Sequence, residues 1–165
     1  MEETGQTVQE TQKVQAEQTG ENGKNVGMPE CETMELIMES RSENEEFARV
    51  VAAGFATLEE LDDIKTAVSE AVTNAVIHGY RGQEGKIYLS ATAWEKEQLL
   101  SVTVRDEGVG IRDVEQAMEP MFTTCPEDGR SGMGFSFMEA FMDRVEVVSA
   151  PGKGTSVTMK KKIGR

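Results

Sequence analysis

From Met34 onward, apolar and polar positions follow periods that divide the chain into elements. Met34–Met38 predicts a short strand, and Ser42 with Glu45 three residues later has the spacing of a capping box opening a helix to about Phe55. Leu61, Ile64, Ala67, Val68, Ala71, Val72 and Ala75 recur at three and four, the apolar face of a second helix from about Leu58 to Ile77. Gly79 and Gly82 then end it. Ile87, Leu89, Ala91 and Ala93 alternate with Tyr88, Ser90, Thr92 and Trp94, and Leu100, Val102 and Val104 alternate in the next run. The charged Glu95-Lys96-Glu97-Gln98 between the two runs predicts an antiparallel hairpin. Residues 107–131 read as irregular apart from a short helix after Asp113. A helix follows over Gly134–Met142, with Phe135, Met138, Phe141 and Met142 turned inward. Val145–Ser149 and Ser156–Ile163 close the chain as a hairpin around Pro151-Gly152-Lys153-Gly154. Helices grouped beside hairpin-linked strands predict a two-layer α+β sandwich.

The N-terminal part breaks this pattern. Residues 1–33 hold seven Glu against two Lys and no Leu, Ile or aromatic residue, too little apolar surface to offset the entropy of ordering. They are expected to be a disordered acidic tail or an over-long start, and residues 34–165 the one folded domain. The whole chain carries a formal charge of −13, and residues 34–165 are acidic on their own. Sequence-independent binding to nucleic acid needs a basic footprint, so direct DNA or RNA binding is not expected. No apolar run is long enough to span a membrane, and no leader-like segment is seen near Met1. Cys31 and Cys125 make no disulfide framework. These features together predict a soluble cytoplasmic protein.

Three segments could carry chemistry. Asn74 is a poor helix former inside the second helix, with Glu70 four residues before it and His78 four after. A carboxylate and an amide aligned on one flank could hold a hard cation and orient a nucleophile, or simply face solvent. Asp106-Glu107-Gly108-Val109-Gly110 follows a strand, where two glycines let backbone approach a ligand beside a carboxylate, or make a tight turn. Gly129-Arg130-Ser131-Gly132-Met133-Gly134 leads into a helix N-terminus, which is either an anion site or a loop. Gly152-Lys153-Gly154-Thr155 lacks the preceding glycine and following helix of a P-loop. A single histidine without clustered cysteines argues against a zinc site, and no G-x-S-x-G elbow presents a serine.

In their order and separation the three segments resemble the GHKL ATPases, with gyrase, heat-shock chaperone, histidine-kinase and mismatch-repair ATP-binding domains. Ser69 to Tyr80, Arg105 to Ile111, Phe122-Thr123-Thr124 and Arg130 to Phe135 are closer still to the anti-sigma F factors, sporulation regulators within that superfamily. The resemblance covers about residues 35–163. It implies the GHKL (Bergerat) sandwich, a mixed sheet with helices on one face. It implies ATP and Mg²⁺ as cofactors and a protein serine kinase activity.

Residue by residue, the resemblance makes Glu70 the general base and Asn74 the Mg²⁺ ligand. Asp106 would accept from the adenine amino group, Gly108 and Gly110 would give the base room, and Thr155 would support Asp106 through a water. Gly132, Met133 and Gly134 would meet the phosphates, with Thr123, Thr124, Arg130 and Ser131 in a lid over them. His78 would be structural. Family members bind and inhibit a sigma factor of RNA polymerase and phosphorylate a serine of an anti-anti-sigma antagonist, and they act as homodimers through the first strand and helix. Arg49 matches a partner-contact position. The same fold could instead serve a general-stress sigma factor, or gate sigma binding by nucleotide without kinase activity. The chain departs from the family in a shortened 55–58 connection, in Cys125 where lysine is common, and in its long acidic tail.

Overall fold

The computed structural model of the protein describes residues 31–54, 60–121 and 132–164. Strand β1 (Cys31–Glu39) leads to helix α1 (Glu43–Ala53) and helix α2 (Leu61–Asn74), which continues into a π-helical turn at Ala75–Gly79. β2 (Lys86–Trp94) and β3 (Leu99–Asp106) form the predicted hairpin. The short α3 (Val114–Met118) and α4 (Gly134–Phe141) follow, and β4 (Arg144–Ser149) and β5 (Thr155–Lys162) complete the sheet. β1 starts three residues ahead of the predicted Met34, because Cys31, Glu32 and Thr33 pair with Trp94, Ala93 and Thr92.

The five strands lie in the order β1-β2-β3-β5-β4. The expected mixed sheet is not found: every hydrogen-bonded strand pair among the described residues is antiparallel. The connections explain this. Two helices, not one, separate β1 from β2, so the chain reverses an odd number of times and β2 returns opposite to β1. A parallel pair needs a crossover that brings the chain back in the same direction, usually one helix. β5 is inserted between β3 and β4, two strands that run the same way, and so separates what would have been a parallel pair.

The period of two in β2 and β3 sorts the faces. Ile87, Leu89, Ala91 and Ala93 and their partners Asp106, Val104, Val102 and Leu100 face the helices and are buried. Met38, Val157 and Met159 extend that layer to the neighbouring strands. From the helical side it is met by Ile64, Ala67, Val68, Ala71 and Val72 of α2, with Met138 of α4 and Met142 beside it. Phe135 packs half-buried against this core, whereas Phe141 stacks on Phe137 at 6.3 Å instead of entering it. Lys161 points to the helices as well. It is held by Asp63 at 2.8 Å and by the Phe141 carbonyl at 2.6 Å. The layers are the predicted α+β sandwich. The other face of the sheet mixes Ser, Thr and charged residues with Tyr88, over whose ring Arg105 lies at 4.1 Å, and the exposed Ile37 and Val148.

Ser42 does stand at the N-cap of α1, but the predicted capping box does not form, because its side chain makes no cap hydrogen bond. Glu45 is engaged elsewhere, accepting from the Ser69 hydroxyl on α2. A contact between helices has displaced the local one. Leu58, the predicted start of the second helix, and the 55–58 connection lie outside the described residues. No helix among the described residues is long and apolar enough to cross a membrane.

Candidate functional site

A cavity of about 380 Å³ opens between α2, the Asp106 turn and the start of α4. Glu70, Asn74 and His78 line one wall, Asp106, Val109 and Gly110 another, and Gly132, Met133 and Gly134 a third, with Thr155 at the floor. The spacing of four that put Glu70, Asn74 and His78 on one flank holds across a change of helix type. Asn74 is the last α-helical residue, and the next turn is π-helical, closed by the Tyr80 amide on the Ala75 carbonyl five residues back at 2.9 Å. Such widened turns recur at functional sites. Here the turn carries His78 and Gly79 on into the cavity wall.

Gly134 brings α4 against the helix flank. A Cβ there would stand 3.1 Å from Glu70 Oε2 and 3.2 Å from both Asn74 amide atoms. The free N–H groups at the start of α4 therefore meet a carboxylate and an amide in one place.

Asp106 closes the opposite side and is only 4% exposed. Its Oδ1 accepts from Gly108 N at 2.8 Å, and the Thr155 amide also bonds the carboxylate. Burial nevertheless dominates and pushes the Asp106 carboxyl above its usual range, against the two amides and nearby Arg105. Gly108 cannot carry a side chain: a Cβ would sit 2.2 Å from the Gly79 carbonyl. The turn is thus pressed onto the end of the π-helical segment, where Val109 N donates to that carbonyl at 2.9 Å.

Other contacts carry no signal in the sequence. Gly152 N donates to the Val109 carbonyl at 2.7 Å and Gly154 N to the Gly108 carbonyl at 3.1 Å, so the P-loop-like segment is a clamp over the Asp106 turn. Ser149 Oγ accepts from Ile111 N at 2.8 Å and donates to the Gly154 carbonyl at 2.8 Å. The Thr155 hydroxyl is 3.0 Å from Ser149 Oγ. The Thr155 amide itself bonds the Asp106 carboxylate. Arg81 and Arg112 add two cationic side chains to the cavity lining that the sequence did not single out. Thr123, Thr124, Arg130 and Ser131, the expected lid, lie outside the described residues, as does Cys125. Arg49, on α1, pairs with Glu46 at 3.1 Å, between the exposed Phe47 and Val50.

Among the described residues no group of three or more His, Cys, Asp or Glu could hold a metal. A cation in this cavity would take one amide oxygen from the protein and the rest from ligand phosphates and water. That is a habit of Mg²⁺, and the space left by the missing side chain of Gly134 suits it.

Residues 39–161 match the family described as "Histidine kinase-like ATPase domain". The protein called anti-sigma F factor in Clostridium acetobutylicum is 54% identical over 134 residues, 78% of this chain and 92% of that one. Its namesakes in Oceanobacillus iheyensis and Caldanaerobacter subterraneus are 51% and 54% identical, over 80% of this chain and 93% and 94% of theirs. Among solved structures, the RsbU and RsbW domains of a Mycobacterium tuberculosis protein superpose with a TM-score of 0.57 at 19% identity, over 81% of this chain and 32% of that one. Full-length ShkA in complex with AMPPNP gives 0.52 at 16% identity, over 73% and 29%. At those identities the structures share the fold.

Proposed function

We propose that this chain, which belongs to the anti-sigma F factor family of histidine kinase-like ATPase domains, is an ATP-dependent protein serine kinase that also binds a sporulation sigma factor and holds it inactive. The phosphorylated substrate is the anti-anti-sigma antagonist, on a serine. One observation supports this most: Glu70 and Asn74 meet the start of α4 at a single point, across one cavity from the buried Asp106.

Each residue then has a task. Asp106 accepts from the adenine amino group, a contact that guanine, with a carbonyl there, cannot make. Gly110 and Val109 line the base side of the cavity. The space a Gly110 side chain would need is taken by the Ala150 carbonyl, 2.0 Å from where its Cβ would stand, and not by the base. Thr155 keeps the Asp106 carboxylate in place. The α4 N-terminus, with Gly132, Met133 and Gly134, donates N–H groups to the phosphates. Thr123, Thr124, Arg130 and Ser131 cover them as a lid. Asn74 would hold Mg²⁺, which supplies charge neutralisation on the phosphates.

Glu70 orients the acceptor serine and takes its proton. The serine oxygen forms a bond to the γ-phosphorus as the bond from that phosphorus to the bridging oxygen breaks, and ADP leaves with the electron pair. This step needs positioning and electrostatic stabilisation more than covalent help, which is what the cavity provides.

The protein acts in the cytoplasm as a homodimer through β1 and α1, where Ile37, Phe47 and Val50 are exposed apolar side chains. Arg49 contacts the partner proteins from the same helix. The test is Glu70→Gln. ATP should still bind, and transfer to the antagonist should fall at least a hundredfold. Unchanged transfer would remove Glu70 as the base.

A further inference from the structure

Tyr80 follows the π-helical turn and is 9% exposed. Its hydroxyl accepts from Glu107 N at 2.9 Å and donates to the Lys86 carbonyl. In the β2–β3 register the last pair is Ile87 with Asp106, so Lys86 and Glu107 are the next two residues along the ladder. The phenol oxygen occupies that rung, bridging the two strands where they part. Three consecutive amides are thereby fixed. Glu107 N bonds the Tyr80 hydroxyl, Gly108 N the Asp106 carboxylate, and Val109 N the Gly79 carbonyl.

The ring is held as closely as the hydroxyl. Gly85 carries no side chain, and a Cβ there would fall 2.0 Å from Tyr80 Cε1. Burial raises the phenol above its ordinary value, so the hydroxyl stays protonated and able to donate. Tyr80 is not part of the cavity lining.

We propose that the Tyr80 hydroxyl is the positioning group for Asp106: by fixing the Glu107 peptide it aims the carboxylate at the base, so that preference for adenine depends on a side chain outside the cavity. This rests on the adenine-nucleotide reading of the site. Without the hydroxyl, Glu107 N loses its acceptor and the peptide after Asp106 is free to turn. Contacts on the phosphate side, made from α2 and α4, do not run through this rung.

The test measures Mg-ADP and Mg-GDP affinities of the full-length protein and of Tyr80→Phe, which keeps the ring. The hydroxyl's loss should weaken ADP about tenfold and leave GDP nearly unchanged, narrowing the preference by that factor. Gly85→Ala, which displaces the ring from outside the cavity, should narrow it in the same direction. A lower melting temperature with the ADP-to-GDP ratio intact would show a packing role only and overturn the proposal. A wild-type protein that binds ADP no better than GDP would overturn the adenine reading itself, and this proposal with it.

Discussion

A Cβ on Gly134 would stand 3.2 Å from both terminal atoms of Asn74. The gap between the first residue of α4 and the last of α2 is therefore a few tenths of an ångström too small for a methyl group. Alanine at a helix position is intrinsically more stable than glycine, by about 1 kcal/mol. Gly134→Ala should therefore leave the melting temperature unchanged or raised, while the Asn74 amide is pushed aside by a few tenths of an ångström. Phosphoryl transfer should fall about tenfold for that displacement. Thermal melts and initial rates on one preparation check both halves. A drop in stability together with activity would point to a fold defect instead.

Ser149 gathers the Ile111 amide, the Gly154 carbonyl and the Thr155 hydroxyl around one oxygen. Removing it leaves an amide of the cavity wall without its acceptor. Ser149→Ala should cost about 1–3 kcal/mol of stability, measured by denaturant titration. Nucleotide affinity should fall too, because the clamp over the Asp106 turn loosens. Ser149→Thr, which keeps an oxygen there, should recover part of both.

Asp106 couples pH to stability and to binding with opposite signs. Its folded pKa lies above the ordinary 3.8, so between the two values the folded state binds more protons than the unfolded one. Stability from this group therefore falls as pH rises through that window and returns on acidification. Binding runs the other way, since the ionised carboxylate is the stronger acceptor for the adenine amino group. ADP affinity should decline on acidification while the pH is still above the ordinary aspartate range. Asp106→Asn should bind ADP at least tenfold more weakly at neutral pH, with a melting temperature equal to or above wild type. The pH dependence that it removes isolates the contribution of Asp106 from that of the nucleotide's own phosphates.

The β2–β3 hairpin was legible because each strand buries one face and its loop is charged. The flank of Glu70, Asn74 and His78 was legible because spacing of four survives the change from α to π. Nothing in the residue types Ala75 to Gly79 announces that change, and it is what lets Gly79 reach Val109. The capping box failed for a tertiary reason: Glu45 bonds Ser69, 24 residues away. The direction of both hairpins was legible, whereas the mixed sheet that the resemblance implied is not found, because the remaining directions depend on the number of chain reversals and on β5 entering between β3 and β4. Ser149 and Tyr80 act through backbone groups of distant residues, and no local pattern marks such a partner.

The most direct test of the central claim is an intact-mass measurement. The protein is mixed with Mg-ATP and the candidate antagonist encoded in the same genome, and Asn74→Ala is run beside it. The antagonist should gain one phosphoryl group on serine with the wild-type protein and none with the variant. An antagonist that binds the wild-type protein in the presence of ATP and gains no mass would contradict the kinase assignment.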